Sequence, residues 1–159
     1  MRLLTLAKHA TFTFQVPDNH RHSIVIDIEI IVSIPVKGYP QNQKRSIKAK
    51  ALLDTGASRS AISCLFAQTA SLISYGKCAI RQSRGEYISS VYTVDILFPH
   101  GMSAQNIKAA EFFGHHDFDF IIGMDILRMT DIAITNAKGI TVLSLRSPPA
   151  NEHIDFTKE

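Results

Sequence analysis

The sequence has no tryptophan and only two cysteines, Cys64 and Cys78, in 159 residues. The cysteines lack Cys-x-x-Cys spacing, so neither a zinc site nor a disulfide framework is predicted from them. We interpret both as small, buried side chains in a reducing compartment. No apolar run is long enough to span a bilayer, and the first residues, MRLLTLAKHATF, are too short an apolar segment for a secretory signal. These absences favour a cytoplasmic protein with no membrane association.

A strong excess of either charge is also absent, because the net charge is only +3. The most basic segment, QNQKRSIKAK, contains no aromatic residue between its charges, whereas proteins that bind single-stranded nucleic acid usually combine the two. A solvated loop and strand face is the favoured interpretation, with nucleic-acid binding by a small barrel as a distant alternative. The cations concerned are Lys44, Arg45, Lys48 and Lys50.

The composition is that of an ordinary globular domain, with 45% hydrophobic and 19% charged residues. A chain of this length can bury a core without disulfides or a metal, and its many isoleucines and valines favour strands. We predict one domain over residues 23–145, preceded by an N-terminal extension (1–22) and followed by a polar tail (146–159).

Period-two alternation predicts several strands. The segment HSIVIDIEIIVSIPV has isoleucines at every second position, with Asp27 and Glu29 between them. A second strand, SIKAKALL, ends at Asp54. Residues 76–98 are predicted to form a long hairpin that turns at 83–86, around Gly85. A closing hairpin over DIAIT and ITVLSL completes a mainly β domain.

Two short helices are predicted among these strands. Residues 60–70 change to helical spacing, and either Ser58 or Ser60 is expected to cap the helix. The segment FIIGMDILRM places a short strand before Gly123 and then about one and a half turns of helix, which Asp125 is expected to cap.

The most unusual feature is the segment ALLDTGASRSAIS, residues 51–63, in which an acid follows an apolar strand. Burying a carboxylate is costly unless it is paired or hydrogen-bonded. Asp54 could simply be a turn residue that bonds its own backbone, as Asp often does. Alternatively, the burial serves to set the protonation state of a catalytic acid.

Two motifs together resemble the retropepsin-like aspartic proteases, the single-domain relatives of pepsin. These motifs are LLDTGAS and, roughly seventy residues later, FIIGMDIL. The resemblance implies an all-β fold, a closed barrel with a flap hairpin and two short helices, that forms a homodimer. It also implies an aspartic endopeptidase that needs no cofactor or metal, in which each subunit supplies one Asp54 and the pair activates a water molecule. Its partner would be a peptide or protein substrate.

Further roles follow from the resemblance alone. Thr55 would bond across the dimer axis, Gly56 would allow close approach of the backbone, and Ala57 and Ser58 would line a substrate subsite. Ile121, Ile122 and Gly123 would pack behind the turn, with Asp125 capping the helix. Residues of the hairpin tip would form the flap over the substrate: Arg84, Gly85 and Glu86.

The match to the retroviral members has two departures. They usually carry an acid where Ser58 stands and an arginine where Met124 stands, and these two side chains pair. Dimer contacts and substrate binding must therefore differ here. An alternative function is a retropepsin-like dimerisation or peptide-binding module with little or no catalytic activity.

Other acids and histidines have simpler explanations. Asp119 fits a loop position and Asp125 a helix cap, so neither is the favoured catalyst. His115, His116 and Asp117 could suggest a metal site, but adjacent histidines in a strand point to opposite faces, so a solvated loop is favoured.

Overall fold

The computed structural model of the protein describes residues 2–4, 10–17, 23–34, 43–82, 85–113, 117–155 and 157. Within these ranges the chain forms eleven strands and two short α-helices. The strands are β1 (Arg2–Leu4), β2 (Ala10–Gln15), β3 (Val25–Ile34), β4 (Gln43–Leu53), β5 (Ala61–Ser63), β6 (Gly76–Gln82), β7 (Gly85–Leu97), β8 (Ser103–Phe112), β9 (Phe120–Ile122), β10 (Asp131–Ala137) and β11 (Ile140–Ser147). The helices are α1 (Cys64–Thr69) and α2 (Met124–Leu127). The predicted all-β class is confirmed.

The first long hairpin, β3–β4, forms because its sequence alternates. The isoleucines at 26, 28 and 30 are buried, whereas Asp27 between them is exposed. On β4, Ala49 and Ala51 face the core, and Lys48 and Lys50 face solvent. The alternation predicted from the sequence is confirmed for both strands, because a pleated strand sends successive side chains to opposite faces.

Six strands close into a barrel. Their order is β8-β5-β9-β4-β3-β7, and β7 pairs back onto β8, so the ring has no free edge; β1 and β6 pair at its outside. Closure leaves the backbone groups of these strands paired and encloses a core of aliphatic side chains. The core therefore holds β4 and β9 rigidly beside each other.

A three-stranded sheet, in the order β10-β11-β2, packs against the barrel. Strand β2 lies within the segment predicted as an N-terminal extension, yet it pairs with β11 and buries Phe12, whose ring stacks on Phe98. Residues 146 and 147, assigned to the tail, belong to β11. The division into extension, domain and tail stays a prediction, but 10–15 and 146–147 contribute to the packed sheet.

The predicted helix over residues 60–70 is correct only in its second half. Ala61–Ser63 is strand β5, which pairs with β8 and β9, and helix α1 starts at Cys64. The cap is Ser63, whose Oγ accepts from the Phe66 N–H, so capping by Ser58 or Ser60 was wrong. Pairing of Ile62 between two strands outweighs its local helical spacing.

The closing hairpin contains an ion pair between Asp131 and Arg146, from which the pH dependence of stability can be predicted. The hydrogen bond from the Ala150 N–H, and next the Arg146 guanidinium, hold the pKa of Asp131 below its usual range. Because the folded-state pKa is the lower one, the Asp131 carboxylate stabilises the fold at neutral pH. This contribution is lost as the pH falls below about 4 and through the folded-state pKa.

We therefore expect Asp131→Asn to lower the melting temperature at pH 7. On acidification, the melting temperature of this variant should fall by less than that of the wild-type protein. The measurement is thermal unfolding of both proteins from neutral to strongly acidic pH. Parallel melting curves for the two proteins across this range would contradict the linkage. The exposure of this pair to solvent makes the expected effect small.

Two further features concern cysteines and membranes. Both cysteines are free thiols and only half-buried, so the prediction that they are buried was wrong.

Among the described residues, no helix has the length and apolar character needed to cross a bilayer.

Candidate active site

Asp54 stands at the point where β4 leaves the barrel. Strand β9 runs parallel to β4, with Leu53 opposite Ile122, and the Asp54 N–H donates to the Ile122 carbonyl at 3.1 Å. The pairing continues the sheet by one residue, so the start of the turn is part of the barrel. The Asp54 side chain is half-buried in the single chain.

The turn that starts with Asp-Thr-Gly covers residues 54–58 and is called the Asp-Thr-Gly turn. Two of its backbone N–H groups donate hydrogen bonds to Asp54. The Gly56 N–H donates to Asp54 Oδ1 at 2.8 Å, and the Ala57 N–H donates to the Asp54 carbonyl at 3.2 Å. A Cβ at Gly56 would lie 3.1 Å from Asp54 Oδ1. Glycine therefore keeps the space beside the carboxylate open, while Thr55, Gly56 and Ser58 stay exposed.

The second motif packs directly behind this turn. The Met124 N–H donates to the Ala57 carbonyl at 2.8 Å. A Cβ at Gly123 would lie 2.5 Å from the Arg59 carbonyl carbon and 2.9 Å from the Ala57 carbonyl oxygen, so only glycine fits without a shift. The structure thus brings residues 121–125 against the turn.

Asp125 has a different position from the one predicted. Gly123, not Asp125, is the N-cap of α2, and it provides no side-chain cap. Asp125 lies in the first turn of the helix, where its Oδ1 accepts from the N–H and the Oγ of Ser60, at 3.0 and 2.8 Å. Its carboxylate therefore joins α2 to the segment after the Asp-Thr-Gly turn.

Ser60 is the residue that sequence reasoning missed. It is 1% exposed, its hydroxyl donates to Asp125 Oδ1, and its Oγ accepts from the Gly123 N–H at 3.1 Å. A serine between arginine and alanine gives no signal in the sequence. Only the approach of α2 makes it the central link between the two motifs.

We expect Ser60→Ala to lower the free energy of unfolding by about 1–3 kcal/mol, because the Gly123 N–H and one Asp125 bond lose a buried partner. Chemical denaturation measures the change. Ser58→Ala is the matched control, since Ser58 is exposed in the same loop and should change stability by less than about 0.5 kcal/mol. Equal stability of both variants would contradict this role for Ser60.

The β6–β7 hairpin extends over the Asp-Thr-Gly turn and encloses a cavity of about 770 Å³, called the cleft below. Asp54 lines the cleft from below. The hairpin contributes Cys78, Ala79, Ile80 and Tyr87, and the barrel contributes Ile121. The prediction of a hairpin here is confirmed, but Gly85 and Glu86, which were predicted to lie in its turn, pair within β7; residues 83 and 84 lie outside the described residues.

The predicted flap residues lie at the tip of this hairpin rather than in the cleft wall. Gly85, with φ of 128°, and Glu86 are both exposed and begin β7. Arg84 lies outside the described residues. Among residues near the tip, Tyr87 is the one that lines the cleft, and its ring meets Phe113 edge-on at 6.4 Å.

A second acid, Glu111, also lines the cleft but is already bonded. Its Oε1 accepts from the Tyr92 hydroxyl at 3.1 Å, and the residue is buried. Burial, and then the hydrogen bond to Glu111, raise the pKa of the Tyr92 hydroxyl. Of the two acids that line the cleft, Glu111 is thus buried and bonded to Tyr92, whereas Asp54 is half-buried.

Asp119, one of the other acids considered from the sequence, does not line the cleft. Asp119 accepts from the Lys50 N–H at 2.9 Å, and its own N–H donates to the Lys50 carbonyl, so it bridges strand ends. His115 and His116 lie outside the described residues. Within the described part of the chain, no three His, Cys, Asp or Glu side chains converge as a metal site.

A comparison with solved structures identifies the architecture. The crystal structure of a retropepsin-like aspartic protease from Rickettsia conorii superposes with a TM-score of 0.56 over 91% of this chain and 99% of that chain, at 16% sequence identity. This chain has a retropepsin-like fold. No protein-family model and no curated protein matches the sequence. In this fold, the Asp-Thr-Gly turn, Ile121 and the β6–β7 hairpin line one cleft.

Proposed function

We propose that this protein is an aspartic endopeptidase that works as a homodimer, with one Asp54 from each subunit. The observation that carries the proposal is the geometry of Asp54. It is a half-buried carboxylate that lines the cleft, on a turn bonded to β9 and α2 in a retropepsin-like fold. The enzyme would act in the cytoplasm on peptide or protein substrates and use no cofactor.

The need for a second chain follows from the number of available acids. The given sequence has one Asp-Thr-Gly motif, so one copy of this domain supplies one such acid. Glu111, the other acid that lines the cleft, is buried and accepts a hydrogen bond from the Tyr92 hydroxyl, which makes it a poorer partner for Asp54 than a second Asp54. A second copy of Asp54, across a two-fold axis, would supply the missing carboxyl group.

Two such carboxyls would share one proton, because like charges in close contact cannot both ionise. The ionised carboxylate takes a proton from water, whose oxygen then bonds to the peptide carbonyl carbon. The protonated carboxyl donates to the carbonyl oxygen. When the C–N bond breaks, the pair delivers a proton to the leaving amine.

The cleft favours an extended substrate. It lies between strand β6 of the hairpin and the Asp-Thr-Gly turn, so a peptide there could bond as an added strand. Ile80, Ile121 and Tyr87 provide an apolar surface for its side chains. We therefore propose that the substrate is a largely apolar peptide segment in extended conformation.

Cleavage of a peptide library, with mass spectrometry of the products, tests this function. The expected result is specific cleavage, fastest at mildly acidic pH, that a statine-type transition-state mimic inhibits. The Asp54→Asn variant is the negative control. Binding of peptides without any cleavage would instead indicate a catalytically inactive peptide-binding module.

A further inference from the structure

A second cavity, called the basic pocket below, continues the cleft past the Asp-Thr-Gly turn. It encloses about 640 Å³ and shares Gly56, Ser58 and Arg59 with the cleft. The basic pocket therefore adjoins the cleft in which the substrate is proposed to bind. Its cationic lining residues are Arg59, Lys108 and Arg128.

The charge of the basic pocket is poorly neutralised by its own residues. Asp125 is its acidic lining residue, and Asp125 Oδ1 already accepts three hydrogen bonds, two from Ser60 and one from the Ile126 N–H. The Lys108 ammonium lies 5.0 Å from the Tyr75 ring centroid. In the described part of the chain, neither Arg59 nor Arg128 forms an ion pair or a side-chain hydrogen bond.

Arg59 lines both cavities, and the backbone on either side of it is held by contacts with α2. Its backbone packs against Gly123, where an added Cβ would lie 2.5 Å from the Arg59 carbonyl carbon. The residue after it, Ser60, is bonded to Asp125, and Ala57 is bonded to Met124. Its side chain is exposed, so a rigid backbone presents a free guanidinium to the substrate path.

We propose that Arg59 makes this protein selective for peptides that carry an aspartate or glutamate side chain close to the cleaved bond. This inference rests on the proposed function and specifies its substrate class. A guanidinium offers a planar fork of donors that matches a carboxylate, and Lys108 and Arg128 add to the attraction. Because a homodimer contains Arg59 twice, the preference applies on both sides of the cleaved bond.

The test uses peptides that share one cleaved bond and differ at single flanking positions, where they carry Glu, Gln or Lys. The expected ratio of kcat/KM for the best Glu peptide to its Gln counterpart is roughly 5- to 20-fold, the range of a partly desolvated charge-assisted bond. In Arg59→Gln this ratio falls to about twofold or less, because only Lys108 and Arg128 then attract the Glu side chain, and in Arg59→Glu the Lys peptide becomes the better substrate. Raising the ionic strength from about 0.05 to about 0.5 M reduces the wild-type ratio.

Lys48→Gln is the matched control, because Lys48 is an exposed cation that lines a separate groove with Asp27 and Glu29. The ratio should not change in this variant. An active wild-type enzyme with no preference for Glu, or with the same preference in Arg59→Gln, would overturn the inference and leave the proposed function intact.

Binding of the same peptides to the Asp54→Asn protein, measured by fluorescence anisotropy, tests the selectivity without cleavage. The Glu peptide should bind more tightly than the Gln peptide, and adding Arg59→Gln should remove most of the difference. Equal binding of both peptides to Asp54→Asn would overturn the inference. So would a weaker dimer in Arg59→Gln with unchanged peptide selectivity, because the cation would then serve subunit contact.

Discussion

Asp54→Asn is expected to lower kcat/KM for peptide cleavage by about 10³- to 10⁴-fold, because an amide can neither take a proton from water nor donate one as an acid. Asparagine has the shape of aspartate, and its Oδ1 can still accept from the Gly56 N–H, as Asp54 does at 2.8 Å. The turn should therefore keep its conformation. Cleavage rates, thermal unfolding and sedimentation of both proteins separate lost chemistry from lost structure.

The matched control for this variant is Asp27→Asn. Asp27 is an exposed acid on β3, and it lines the separate groove rather than the cleft. Its replacement should leave cleavage within about twofold of wild type. Activity that persists in Asp54→Asn, or that disappears equally in Asp27→Asn, would exclude Asp54 as the catalytic acid. Retained folding and dimerisation without activity would support its proposed chemical role.

Gly123→Ala is expected to lower the free energy of unfolding by about 1–3 kcal/mol, because the new methyl group has no room. Its Cβ would lie 2.5 Å from the Arg59 carbonyl carbon and 2.7 Å from its oxygen. These are backbone atoms, which cannot turn away as a flexible side chain can. Relief requires that α2 and the segment after the turn move apart.

The same movement should impair catalysis. The Met124 N–H bonds the Ala57 carbonyl, three residues after Asp54, so displacement of α2 shifts the turn itself. A misplacement of about 1 Å can reduce catalysis about 100-fold. Chemical denaturation and cleavage of one peptide measure both effects. Gly76→Ala is the control, since an added Cβ there has no neighbour within 4 Å. Equal stability of the two variants would contradict the steric argument.

The parts of the fold that were predicted correctly are those in which local pattern and tertiary environment agree. Strands β3 and β4 alternate because one face lies on the core, and the same alternation is visible in the sequence. The β6–β7 hairpin was likewise predicted, although Gly85, whose φ of 128° favours glycine, begins β7 instead of lying in the turn. At Ile62 the local pattern and the tertiary environment disagree. Its spacing is typical of a helix, but it lies in strand β5, which pairs with β8 and β9.

The candidate site divides in the same way. Two short motifs were enough to select Asp54 as the candidate acid and to predict that residues 121–123 lie near it. Ser60 and the position of Asp125 were not predictable, because their bonds join residues 65 positions apart. Arg59 belongs to neither of these two motifs. Its importance follows only from the two cavities that meet beside it.

The sequence by itself determined the mainly β class, the closing hairpins and the chemistry available at the Asp-Thr-Gly turn, because these depend on residue type and short-range spacing. The tertiary structure alone decided which polar groups bond to distant segments of the chain and which line a cavity. It commits Ser60, Asp125 and Glu111 to internal partners and leaves Asp54 and Arg59 facing a cavity. The physical reason is that hydrogen bonds and burial depend on distances between segments far apart in the chain, which no local pattern encodes.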